Sequence, residues 1–365
     1  MPPLWLVIGL VTVVAAPSAQ IRGGDPLQSL PRAHVHADRK HGEITIELPA
    51  VDLPAGMMHH TGTQPPVSLA FMPTGGAIHG FRFELRDKKG HPVPNMLLHH
   101  LNVVDPSHRE LFLPISRRVL AAGGETGEIN FPWLLVGQPL IKGQRLVVSA
   151  MLHNPTTVSY KGVKVRIVMY YVPEGRPWPL LTTYPFQLDV AFPVGNKDFD
   201  VPPGHSERSY EGSPAIAGTI MAVGGHVHDY GSLLELSDAT TGEIIWKAQP
   251  EVDTTGGERK LTLPIGKLYG WTRLGWHIVP EHRYRVTVAY DNPTGHLLTR
   301  GGMGVVGGLF VPDHDAAWPD AAPSDSLYAM DERHYLRLIG RDAMSDAMAE
   351  TDHSSAGSFE HPPHH

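Results

Sequence analysis

The chain contains no cysteine. Disulfides, thiolate zinc sites and blue-copper sites all need a cysteine sulfur, so each is excluded. Charge is sparse: Asp, Glu, Lys and Arg make up 18% of the 365 residues, and a net charge of −7 comes without any basic block. A nucleic-acid partner is not expected from such a chain. Residues 4–16, LWLVIGLVTVVAA, are apolar but too short for a comfortable bilayer span. They lack the usual basic lead and run into small residues. We read residues 1–19 as a secretory signal, cut between Ser18 and Gln20, with an uncleaved anchor as the alternative. Either way the folded part is expected outside the cytoplasm, secreted or periplasmic, with no membrane span once the signal is removed.

What is abundant is turn-forming and imidazole chemistry. Gly (38) and Pro (34) make up close to a fifth of the chain, a level that breaks it into short strands and disfavours long helices. Histidine numbers 23 against 30 Lys plus Arg, and imidazole is the commonest metal ligand.

Strand-like runs begin after a polar lead: EITIELPAVDLP, HGFRFELRD, MLLHHLNVVD, RLVVSAMLHN and VKVRIVMYYVP. A Pro- and Tyr-rich linker precedes a second set, which includes GTIMAVGGHVHDYG, YRVTVAYDN and MGVVGGLFVP. The sets echo one another. Asn154 and Asn292 each open an NPT turn after a long strand, and Pro173 and Pro312 each close a final strand. The expected fold is all-β, with two tandem antiparallel β-sandwich (jelly-roll-like) domains at 35–178 and 179–313. Residues 314–365 read as a largely disordered tail with one short helix.

Three histidine groups and one methionine stand out. His226 and His228 in GGHVHDYG would share one face of a strand, as a metal clamp or as two solvated side chains. His99 and His100 are adjacent in an apolar run. Neighbours in a regular strand point to opposite faces, so both reach one ion only where the strand bulges. Otherwise one is a core histidine and the other a surface one. His153 ends a long apolar strand, as a ligand or a polar terminus, and its repeat counterpart is Asp291. Met303 opens the last strand between glycines, as a soft thioether ligand or a core residue. His34/His36 and the MMHH run at 57–60 offer further imidazoles but no late partner in their own half.

The ordered set HH…H then HxH…M resembles the copper type II, ascorbate-dependent monooxygenases, the family of peptidylglycine α-hydroxylating and dopamine β-monooxygenases. The resemblance covers about residues 80–313. It implies two coppers per chain, one held by His99, His100 and His153, the other by His226, His228 and Met303. It further implies an oxidoreductase that hydroxylates a C–H bond of a small molecule using O2 and a reductant such as ascorbate. Asp229 would then orient a ligand histidine. The family's substrate-holding arginine and tyrosine fall on Gly224 and Gly307, so a glycine-extended peptide is not the expected substrate. Two other classes are weighed: a non-catalytic extracytoplasmic copper-binding or carrier protein with the same ligands, and an adhesion or sugar-binding module in which the histidines are incidental.

Overall fold

The computed structural model describes residues 26–58, 62–124, 126–195, 197–253, 260–270, 274–314 and 316–337. The signal expected at 1–19, His59 and His60, and the tail from 338 onward lie outside them. The fold is nearly all β, with 54% strand and 5% helix. Among the described residues, no helix is long and apolar enough to cross a membrane.

Two groups of sheets enclose two separate cores. In the first, a nine-stranded sheet faces a four-stranded one. Alternation explains the arrangement. In the strand Tyr160–Pro173, Val163, Val165, Ile167 and Met169 turn inward and are fully buried, while Lys164 and Arg166 turn out. Its neighbour Gly76–Arg86 buries Phe81, Phe83 and Leu85 and exposes the opposite face. Each such side chain contributes about 1.5–3 kcal/mol through burial. The outer face carries cross-strand ion pairs, Arg82–Glu43 at 3.0 Å and Lys164–Glu47 at 2.7 Å. These fix register more than stability. The facing sheet runs Ser68–Phe71, Arg145–Leu152, Leu98–Arg109, Ser116–Ala122.

The second core lies between a five-stranded sheet built on Gly218–Val227 and Gly304–Pro312 and a four-stranded sheet built on Gly231–Asp238 and Tyr284–Asn292. The NPT echo has one structural meaning in both halves. The Asn154 side-chain amide lies 2.8–3.1 Å from the carbonyls of Leu53, Pro54 and Val158. Asn292 repeats this with Val201, Pro202 and His296 at 2.8–3.2 Å. In each, the Asn oxygen accepts from the Thr two residues on, Thr156 or Thr294. Both asparagines are buried, and each amide donates to one buried carbonyl, that of Leu53 or of Val201, which needs a partner inside the protein.

The two cores are stitched together by pieces the sequence does not advertise. Leu111, Phe112, Leu113 and Ile115 follow a strand of the first half but pack into the second core. Glu110 beside them is buried and accepts backbone N–H bonds from Leu111, Arg118 and Gln187, the last from the second half. Past the last strand, the Trp318 indole donates to the Arg109 carbonyl at 2.9 Å. The helix Ser326–Arg337 is capped by Asp325, whose carboxylate accepts from Leu327 N at 2.8 Å. It returns to the first half, where Asp331 accepts from Ser116 N and Tyr328 donates to the Pro106 carbonyl. Tyr335 is buried with Leu27, Leu69 and Val147.

Candidate functional site

His99 and His100 sit where their strand is irregular. Met151 pairs with His100, but the next residue, Leu152, pairs with Leu98. His99 is therefore the extra residue of a β-bulge, the one geometry that lets adjacent side chains turn the same way. The His99 and His100 rings lie 4.1 Å apart between centres, and the His153 ring lies 5.4 Å from His99. Gln64 holds this corner: its side-chain oxygen accepts from Leu152 N at 2.6 Å and its nitrogen donates to Leu152 O at 3.0 Å. His153 Nε2 lies 2.7 Å from the Met96 carbonyl, which can only accept. Nε2 therefore carries the proton, and in the neutral ring Nδ1 keeps a free lone pair.

His226 is the penultimate residue of the strand Gly218–Val227 and His228 follows its end, with their ring centres 5.3 Å apart. His226 pairs with Val305 and Val227 with Gly304, so Met303 comes next, level with His228. Buried Tyr290 locks that junction. Its hydroxyl accepts from His228 N at 3.0 Å and Met303 N at 2.8 Å, and donates to Met303 O. Burial pushes the Tyr290 phenol up, so it stays protonated. The incidental-histidine alternative required Met303 to be remote from this pair, and it is not. Asp291, the counterpart of His153, pairs instead with exposed His205 at 2.7 Å.

His100, His226 and Met303 line one cleft of about 1890 Å3. The cleft also carries a charged wall that the sequence reading missed: Arg118, Asp189, Lys197 and Asp331. Burial pushes Lys197 down to about 8, and its ammonium donates to the Phe192 and Pro193 carbonyls at 2.7 and 2.6 Å. Burial raises the carboxyls of Asp189 and Asp331. No motif marks these residues, because they meet only when the two halves and the helix pack. His34 and His36 are exposed on the strand His34–Asp38. Among the described residues, no three His, Asp or Glu side chains are disposed to hold a metal ion as they stand.

No family model and no curated protein matches the chain. Solved structures similar to it include N-glycanase F (TM-score 0.37, 10% identity, 73% of this chain and 95% of the other). A peptide-N(4)-(N-acetyl-β-D-glucosaminyl) asparagine amidase gives TM-score 0.36 and 9% identity over 75% of this chain and 98% of the other. The major capsid protein P2 of bacteriophage PM2 gives 0.30 and 9%, over 75% of this chain and 100% of that one. Likeness at this level transfers neither fold assignment nor activity.

These findings correct the sequence reading. The structures recovered are amidases and capsid proteins, not copper monooxygenases, and no ready-made metal cluster stands among the described residues. The assignment to the copper type II, ascorbate-dependent monooxygenases is withdrawn. So are the oxidoreductase activity with O2 and ascorbate, and the alternative of an extracytoplasmic copper carrier. The physical reason is that six residues in order along a chain constrain topology weakly. HH, HxH and Met each recur by chance in a chain with 23 histidines and 12 methionines.

Proposed function

We propose that the protein is a ligand-binding β protein whose cleft recognises a small molecule through two late first-row transition ions. His99, His100 and His153 hold the first, and His226, His228 and Met303 hold the second. The carrying observation is the bulge at His99, which gathers three imidazoles at a strand corner. Imidazoles bound to one ion at about 2.0–2.1 Å place their ring centres roughly 4–6 Å apart. The separations of 4.1, 5.4 and 5.3 Å all fall in that range. The His153 tautomer supports this, since its donated Nε2–H is the usual partner arrangement of a ligating histidine. Cu(II) serves as the probe ion, because copper heads the affinity order for nitrogen donors and its reduced form accepts a thioether. No reaction is assigned to the ions.

Two tandem β-sandwich domains, 35–178 and 179–313, are part of the same proposal. Separate cores and the matched asparagine cages support that division. An extracytoplasmic location rests on the apolar run at 4–16. The test is metal content of full-length variants after equilibration with Cu(II) and dialysis. His153→Ala should lose one ion and Met303→Ala should weaken the other, each leaving the remaining site filled. Variants that retain the wild-type metal content would overturn the assignment.

A further inference from the structure

Two loops, one in the first half and one at the junction of the halves, repeat one short motif: PWLL from Pro132 to Leu135 and PWPLL from Pro177 to Leu181. The backbone ties them side by side. Leu180 N donates to Leu134 O at 2.9 Å and Leu181 N to Leu135 O at 2.8 Å. Parallel pairing continues through Val136 with Leu181 and Gly137 with Thr182. Their large apolar side chains face out: Trp133 is 43% exposed, Leu134 51%, Trp178 47% and Leu180 81%. With Leu135 they form an apolar strip on the order of 500 Å2, within the range in which a monomer's largest patch is often functional.

The rim decides which partner. Arg39 donates to the Glu174 carbonyl at 3.2 Å, so the turn after His34–Asp38 abuts the turn that leads into the second loop. Arg39, Lys40, His41 and Arg176 are exposed there, against the acids Asp38 and Glu174. Asp38 is already taken by His41 at 2.6 Å. The rim is net positive around a knob of Trp and Leu. Tryptophan and leucine inside a basic border match a bilayer interface, where indoles settle among headgroups and cations meet anionic lipid. A second copy of the chain would bring like-charged rims together.

We propose that this double loop docks the protein on an anionic lipid bilayer. Phe131, Val136 and Thr183, on the same two segments, line the cleft. Docking therefore sets one wall of the cleft directly behind the membrane-bound loops. The proposal does not depend on metal at the histidine groups.

The chain lacks cysteine, so a single introduced thiol reports one position. Full-length Leu180→Cys carrying an environment-sensitive nitrobenzoxadiazole label is mixed with vesicles of 70:30 phosphatidylcholine and phosphatidylglycerol. The expected result is a blue shift with at least a twofold rise in emission. The rise should be lost in 0.5 M salt and reduced severalfold by Arg39→Glu with Arg176→Glu. The same label at Ile244→Cys, 51% exposed in the second half, should not respond. Thermal stability of the two labelled variants should match wild type, and a melt of the Arg39→Glu with Arg176→Glu protein confirms that it is folded at the assay temperature despite the lost Arg39 bonds to Thr74 and Glu174. No response at residue 180, or an equal response at residue 244, would overturn the proposal. A response that appears without vesicles and scales with protein concentration would also overturn it, in favour of self-association.

Discussion

At the scale of single residues, Tyr290 is the most consequential side chain of the second histidine group. One buried hydroxyl serves three backbone groups, on His228 and Met303. Tyr290→Phe leaves those groups short of partners and should destabilise the protein by about 1–3 kcal/mol, read by denaturant unfolding. It should also weaken metal uptake at His226/His228/Met303 while leaving His99/His100/His153 unchanged. An unaltered unfolding midpoint would contradict this reading. The stretch GGHVHDYG shows how much of the site was legible. Strand alternation puts His226 and His228 on one face; the strand itself ends at Val227, and the two rings lie 5.3 Å apart. Tyr290 was not legible, because it lies 62 residues from His228 and nothing local ties the two. Nor was the left-handed backbone of Tyr230, at φ 68°, in the turn that follows.

At the scale of elements, two devices position the candidate ligands: the bulge at His99 and the paired asparagine cages. The cages stand directly after His153 and Asp291 and fix how each long strand ends. Asn154→Ala leaves the buried Leu53 carbonyl without its donor and Thr156 without its acceptor. Asn292→Ala does the same in the other half. Each should cost about 2–4 kcal/mol by the penalty for unsatisfied buried groups, and because the cages are alike the two losses should agree within about 1 kcal/mol. Calorimetry or denaturant melts measure both. A large effect at one site with none at the other would break the equivalence. The NPT echo was legible as a repeat in the sequence. The bulge was legible only as a condition, since sequence names the adjacent histidines but not the register slip that gathers them.

At the scale of the whole molecule, the halves are joined by Leu111–Ile115, Glu110 and the helix Ser326–Arg337. These connections were the least legible, because their residues look like loop and tail until their partners are known. Asp331 gives the helix a pH dependence. Burial raises its carboxyl, so folding favours the protonated form. That contribution is complete below the unfolded carboxylate value and is lost as pH rises through the folded one. Asp331→Asn, neutral at every pH, should therefore hold the helix more firmly than wild type at neutral pH and about equally under acid conditions. Hydrogen exchange over residues 326–337 reads the difference, and an equal gap at both pH values would contradict it. The central claim concerns the cleft between the halves, which His100, His226 and Met303 all line. It is tested most directly by the number of copper ions bound per full-length chain in equilibrium dialysis. Two ions, bound at sites separately removable by His153→Ala and Met303→Ala, is the predicted result; a chain that binds none would contradict it.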